Sequence, residues 1–314
     1  MFLGMLKDIV RFNKQSVLDL EAGNLSPDMS LGEYLQRGKY GRAFIDYYLV
    51  PMGAAIWSAD VPVMLDFPLQ FFVRFFRNHG LLSVRNRPQW RVIEGGSREY
   101  LKPLSDPFAR NIHTGTVIDH VRRLENGAEL QLGNGRVEHF DAVVFACHSD
   151  QALELLADAN PLEREILGAI PYQNNEVTLH TDTRLLPKRE RAWSAWNYQR
   201  RPETDRPTLT YNMNILQGLS APETFCVTLN DRAAINPNKI LGQFDYAHPV
   251  FTLPGIAAQE RWQEINSGNT WFCGAYWRNG FHEDGVYSAL RVANGIGVSD
   301  KSERVPLRKV GSAA

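Results

Sequence analysis

Cysteine is scarce in this 314-residue chain: Cys147, Cys226 and Cys273 are widely spaced and odd in number. That excludes a disulfide framework and a CxxC metal site. It suits free thiols in a reducing compartment, and a cytoplasmic location is the expectation. Neither charge sign is in excess, with 34 Lys and Arg against 35 Asp and Glu, so the totals supply no basic field for nucleic acid or an anionic membrane surface. No long hydrophobic run is present either. The stretch Tyr47 to Leu65 is broken by Pro51, Ser58, Asp60 and Pro62, whereas a bilayer span needs about 20 apolar residues. The opening MFLGMLKDIVRF carries Lys7 and Asp8 inside its apolar run and lacks a basic leader, so it does not read as a signal peptide. No repeat of solenoid or propeller period is visible.

What is present is an ordinary globular composition, 44% hydrophobic and 22% charged, which fits neither the disordered nor the fibrous classes. At about 150 residues per domain the length predicts roughly two domains. Residues 1 to 83 read as helical. Ser30 with Glu33 forms a capping box, and Arg42–Met52 and Phe67–Arg77 carry aromatic and aliphatic residues at helical spacing, with Pro51, Pro62, Pro68 and Pro88 setting the joints. From Arg91 to Ala146 the period changes to two. VIEGGSREYLKPL predicts a short strand, a glycine pair and a helix start. Strands over 116–124, 128–132 and 137–140, joined at Asn126-Gly127 and Asn134-Gly135, predict an antiparallel meander. Ala142–Ala146 reads as a buried parallel strand covered on both faces, followed by a helix that Ser149 caps. Residues 170 to 250 look like a second sheet holding EVTLHTD, AWSAWNYQ, TLTYNMN and FCVTLN.

For chemistry, the most informative stretch is Trp271 to Gly297. A buried strand ends in Cys273-Gly274-Ala275, a glycine-bearing loop follows, and a helix is expected to start at Gly285. Free backbone amides and the positive end of a helix dipole at a sheet's carboxyl edge can hold phosphate or an electron-rich ring. The alternative is that Gly274, Gly280 and Gly285 only permit turns. His282, Glu283 and Asp284 can each ligate a metal, but adjacent residues do not converge on one centre, so no metal is assigned. Asp284 reads as an acceptor for helix amides, and His282 as an acid/base candidate or a structural histidine. Cys147 and His148 suggest a nucleophile and base, but neighbouring residues at a strand end face opposite ways, so the thiol reads as packing. Trp57, Trp193, Trp196, Tyr198 and Tyr211 concentrate outside the presumed cofactor sheet. Trp196 and Tyr198, two apart, share a sheet face that could wall a substrate pocket, although aromatics equally build cores.

The stretches YLVPMGAAIWS (48–58), VIEGGSREYLKPL (92–104), DAVVFACHSDQALELL (141–156), EVTLHTDTRLLP (176–187), AWSAWNY (192–198) and WFCGAYWRNGFHEDGVYSAL (271–290) cover nearly the whole chain. Together they resemble the flavin-containing amine oxidase superfamily, and more narrowly a bacterial branch of NAD/FAD-binding oxidoreductases similar to the region preceding some plant cyclopropane fatty acid synthases. The superfamily normally opens with a strand, GxGxxG and a helix, and that pattern occurs nowhere in this sequence. The resemblance therefore implies an α/β protein with an amine-oxidase-like FAD-binding fold, its Rossmann-type domain truncated at the N-terminus, beside a mixed α+β substrate domain. The substrate domain would span 1–83 (helical part) and 151–245 (sheet part). The FAD domain would span 84–150 and 246–298, with a flexible tail over 299–314.

Carried over residue by residue, Gly95 and Gly96 match the glycine pair that admits the cofactor, and Val117 the strand position whose main chain faces adenine. Gly274 matches the last-strand glycine; Gly285 and Val286 match the helix start whose amides face the flavin pyrimidine oxygen. Where many relatives have an acidic residue after that glycine, this chain has Ala275 and Tyr276. Trp57, Trp196, Tyr198 and Tyr211 would line the substrate pocket. The implied function is an FAD-dependent oxidoreductase that moves a hydride to flavin from a small-molecule amine or a lipid-like chain, with the cyclopropane-synthase likeness favouring fatty acyl substrates. The alternative is a non-catalytic remnant, or a subunit of a split flavoprotein whose partner chain supplies the GxGxxG segment.

Overall fold

The computed structural model describes residues 1–83, 88–200 and 208–297; the expected tail over 299–314 lies outside them. The chain divides into two compact units, Met1–Gly115 with Ile170–Ala257, and Thr116–Ala169 with Ala258–Ala314. The divisions thus fall after 115, 169 and 257, whereas the sequence reading puts them after 83, 150 and 245.

The first unit opens with helices α1 (Phe2–Glu21), α2 (Leu31–Arg37), α3 (Arg42–Phe44), α4 (Val50–Trp57), α5 (Val61–Leu65) and α6 (Leu69–Asn78). The capping box forms as expected: the Glu33 amide donates to Ser30 Oγ and the Ser30 amide to Glu33 Oε2, both at 3.2 Å. Pro62 stands in the first turn of α5 and Pro68 caps α6, positions where a missing N–H breaks no helical bond. Pro51, expected to set a joint, instead lies inside a continuous helical run from Arg42 to Trp57, directly after a π-helical turn over Ile45–Leu49 that lets the helix pass a residue with no N–H. α6 buries Leu69, Phe72, Val73, Phe75 and Phe76 on one face, the 3-4 spacing of an amphipathic helix. They join Phe12, Phe44 and Phe67 in a single aromatic-rich core.

Residues 88–115 carry only short turns and α7 (Leu101–Ser105), and none of their side chains is buried. The strand expected at Val92 does not form. The Gly96 amide donates to the Ile93 carbonyl at 2.9 Å, which closes a turn on this β-branched pair.

In the second unit, β1 (Ile118–Leu124), β2 (Gly127–Leu132) and β3 (Val137–Phe140) form the expected meander in the order β1-β2-β3. Gly127 is required there: its φ is 138°, and a Cβ would stand 2.2 Å from the Phe140 carbonyl oxygen. β4 (Val143–Phe145) is parallel, as predicted, but not covered on both faces, since Val144 is 42% exposed. α8 (Ser149–Leu155) begins at Ser149 itself, so the cap position is His148, whose amide donates to Gln151 Oε1 at 3.1 Å. α9 (Pro161–Gly168), which the sequence reading leaves unassigned, is opened by Asn160 Oδ1 accepting from the Glu163 amide at 2.9 Å. Glu163 also holds Arg123 at 2.5 Å.

The chain then returns to the first unit as β5 (Tyr172–His180), β6 (Trp196–Gln199), β7 (Thr208–Asn212), α10 (Met213–Gln217), β8 (Cys226–Leu229) and β9 (Ile240–Pro249). The five strands form one antiparallel sheet in the order β6-β7-β8-β5-β9. β9 was not anticipated. α11 (Leu253–Glu260) and α12 (Trp262–Ile265) lead to β10 (Thr270–Phe272), the parallel partner of β4, and α13 (His282–Gly295) ends the described chain.

Candidate cofactor and substrate site

The five-stranded sheet has two chemically different sides, because alternate residues face opposite ways. Registers Trp196↔Tyr211, Tyr198↔Leu209, Tyr211↔Val227 and Val177↔Phe244 place the aromatic and aliphatic residues on one side. Trp196 and Tyr211 meet edge to face, with ring centroids 5.4 Å apart. Tyr198 lies on the same side and packs with Ala55 of α4 against Val177, Leu209 and Leu229. Burial pushes the Tyr211 phenol up to about 12 and raises that of Tyr198 as well, so both rings act as neutral walls. Three of the four residues expected to line a pocket are therefore brought together here, with Trp196 still 40% exposed.

Trp57 is placed differently. Two residues beyond Ala55 on α4, it turns into the helical core, 6% exposed, with centroids 4.6 Å from Phe67 and 4.8 Å from Phe75. Its indole Nε1 is buried without a hydrogen-bond partner.

The other side of the sheet carries a buried polar ladder that the sequence reading missed. The Asp182 amide donates to His180 Nδ1 at 3.0 Å, so the ring proton sits on Nε2, 2.7 Å from Thr228 Oγ1. Thr228 in turn lies 2.9 Å from Thr210 Oγ1. Burial lowers the His180 pKa, consistent with a neutral ring. Asp182, fully buried, accepts from the Arg184 guanidinium and from the amides of Arg184 and Asn236. Those bonds, led by Arg184, hold its carboxyl well below the usual range. The available signal was the threonine at every second position in TLT and VTL, which reads equally as plain strand propensity.

In the second unit, the strand and loop before α13 hold the expected glycines. The Gly274 amide donates to Ser288 Oγ at 2.9 Å, and a Cβ at 274 would stand 2.4 Å from the Tyr276 ring. The helix itself begins at His282, not at Gly285. Asp284, three residues beyond Phe281, accepts from the Phe281 amide at 3.0 Å and from Asn279 Nδ2 at 3.1 Å, with Arg278 Nε at 3.6 Å. This clasp starts the helix one turn early. The Gly285 amide consequently donates to the Phe281 carbonyl at 3.1 Å and is not free for a ligand; Val286 lies further inside the helix. What Gly285 offers is open space, since nothing lies within 4 Å of the point where a Cβ would stand. His282 and Glu283 are exposed while Asp284 is buried, so the three side chains do not converge.

Val117, just before β1, is exposed, and its carbonyl accepts from the Gly133 amide at 3.0 Å. In the first unit, Gly95 and Gly96 have φ of 80° and 90°, two successive values that side chains rarely allow. Only the far end of Gln217, at 3.9 Å, lies before Gly96. Among the described residues no group of three or more potential metal ligands is assembled.

A family model, flavin containing amine oxidoreductase, matches residues 40–297. The chain belongs to this family. Its cofactor is accordingly FAD, and it is an oxidoreductase by descent. This flavin-containing amine oxidoreductase shares its fold with cyclohexylamine oxidase from Brevibacterium oxydans IH-35A at a TM-score of 0.59 and 14% identity, covering 94% of this chain and 74% of that one. Putrescine oxidase bound to putrescine matches at 0.63 and 12% identity, covering 93% and 75%. A CLA-producing fatty acid isomerase from P. acnes matches at 0.61 and 13%, covering 91% and 74%. No curated protein matches the sequence. No described helix is long and apolar enough to cross a membrane.

Proposed function

We propose that this flavin-containing amine oxidoreductase takes an apolar, fatty-acyl-like substrate against the aromatic side of its five-stranded sheet, in preference to a charged amine. One observation carries this reading. Across β5 to β9 no Asp, Glu, Lys or Arg stands on the aromatic side, the charged residues Glu176 and Asp245 being paired on the other. An ammonium group would find no counter-charge on that wall, whereas a hydrocarbon chain gains roughly 0.8 kcal/mol per buried CH₂. When bound, FAD supplies a two-electron acceptor for a hydride from carbon. The chain's own groups supply the surfaces. Trp196, Tyr198 and Tyr211 position the substrate and exclude water; in the second unit, the open space before Gly285 is the place proposed to admit the cofactor. His282, the acid/base candidate, lies exposed at the start of α13 and is given no step in this reading. Anaerobic bleaching of the flavin absorbance by an unsaturated fatty acid, with Trp196→Ala and Tyr211→Ala raising the half-saturating concentration, is the expected result. Bleaching by putrescine or cyclohexylamine alone would overturn it.

A second reading, that flavin retention needs a partner chain supplying a GxGxxG segment, is favoured by a separate observation. Trp90, Val92, Leu101, Leu104 and Phe108 are all more than half exposed, and no residue from 88 to 115 is buried. Parallel strands are ordinarily covered on both faces, yet Val144 is open. Stoichiometric FAD on the isolated chain would refute the need for such a partner.

A further inference from the structure

The N-terminal helices of the first unit line an open pocket of about 330 Å³ that shares no residue with the sheet or with the glycines assigned to FAD. One wall is a single stripe of α1, Arg11, Gln15 and Asp19, spaced four apart; α2 and the turn after it contribute Tyr34, Arg37 and Tyr40; Leu25 and Met29 close the end. Phe12, fully buried, sits beneath both tyrosines at centroid distances of 6.0 and 5.7 Å, so the floor is rigid.

The charges of this cavity are unevenly matched. Arg11 is committed. It bonds Asp8 at 2.9 Å and the Gly38 carbonyl at 2.6 Å, and its guanidinium lies 3.9 Å above the Tyr40 ring centroid. Asp19 accepts only from neutral donors, Tyr34 Oη at 2.7 Å and Gln15 Nε2 at 2.9 Å. Among the described residues it pairs with no cation, and Arg37 pairs with no anion. The cavity therefore presents one carboxylate and one guanidinium that are not joined to each other, with an apolar end between α1 and α2. Asp19 Oδ1 is oriented by Gln15 of the same helix and Oδ2 by Tyr34 of α2, which holds the carboxylate in place before any ligand arrives.

We propose that this cavity binds a small zwitterion, an amino acid with an apolar side chain. Asp19 receives the ammonium group, Arg37 the carboxylate, and Leu25 and Met29 the side chain. A plain amine leaves Arg37 unused, and a plain carboxylate meets Asp19 as a like charge, so both are discriminated against. The site does not depend on the flavin assignment.

The test uses the whole chain and isothermal titration with L-leucine and L-methionine, beside N-acetyl-L-leucine and L-leucinamide, each of which lacks one of the two charges. The free amino acids should bind, and each blocked derivative should bind about tenfold more weakly or worse, the loss of one charge-assisted hydrogen bond. Arg37→Gln changes an exposed side chain and should cost the free amino acids about tenfold while leaving leucinamide unchanged. Asp19→Asn, which keeps acceptor and donor atoms for Tyr34 and Gln15, should do the converse with N-acetyl-leucine. Absence of heat for both amino acids at tens of millimolar, or equal binding of all four compounds, would overturn the proposal. So would unchanged affinities in a folded Arg37→Gln variant with the wild-type melting curve.

Discussion

Replacing Gly285 by alanine should move two measurements in opposite directions. The residue lies one turn inside α13 with helical backbone, and an added Cβ meets no heavy atom within 4 Å. Alanine in a helix interior is better than glycine by up to about 1 kcal/mol. Without steric conflict, the apoprotein should be as stable as the parent or gain roughly 0.5–1 kcal/mol, a rise of a few °C in Tm. If the flavin lies against the bare Cα, the new methyl occupies ligand space, and overpacking of that kind costs about 1–3 kcal/mol. FAD should then bind roughly 5–150-fold more weakly. Thermal unfolding followed by circular dichroism reads the first effect; an FAD titration followed by flavin fluorescence reads the second. Unaltered FAD affinity with raised Tm would show that the space before Gly285 is solvent, and the cofactor assignment for this helix would fail.

Other consequences concern stability. Asp182, with its pKa depressed by Arg184, contributes stability that is complete above about pH 4 and lost as pH falls further. His180, neutral and with a lowered pKa, resists the proton that the unfolded chain accepts, so stability declines from about pH 6.5 downward. The urea midpoint should fall between about pH 7 and 5, and His180→Gln should flatten that part of the curve; a midpoint equally steep in the variant would assign the loss elsewhere. Thr228→Val leaves His180 Nε2–H without its acceptor and should cost about 1–3 kcal/mol in the same measurement; a neutral substitution would mean that the ladder is not load-sharing. Trp57→Ala should cost about 3–5 kcal/mol, but Trp57→Phe much less, because it removes a buried N–H that has no partner. Loss of turnover in a fully stable Trp57→Phe protein would instead place that N–H in the substrate site.

The helical layer and the meander were legible because both depend on local signals: the Ser30/Glu33 box, proline at helix starts, and glycine where β2 turns. The errors have physical causes. Val92-Ile93 has strand propensity but no partner strand, so a turn takes its carbonyl. β9 escaped notice because it is an edge strand whose residues Leu241, Phe244 and Tyr246 are exposed, which erases the alternation that burial imposes on a strand. The start of α13 was misplaced because glycine suggested a terminus, while the determining contact is the carboxylate of Asp284 reaching back to the Phe281 amide. Of the site, the shared face of Trp196 and Tyr198 followed from a spacing of two. The position of Trp57 and the His180 ladder required the packing of α4 and the registers of β5, β7 and β8.

Those registers have an implication for how the sheet tolerates change. Sliding one strand by a single residue would carry threonine, histidine and asparagine onto the oily side and tryptophan and tyrosine into a space built for hydrogen bonds. The misfit would be felt on both sides at once, so the hydroxyl chain from His180 through Thr228 to Thr210 acts as an alignment key for the strands. An aromatic on the opposite side is relieved of that duty. It can be exchanged for a smaller or differently shaped residue without unsettling which strand atoms lie opposite which, so the wall can acquire a new contour while its foundation keeps the same geometry.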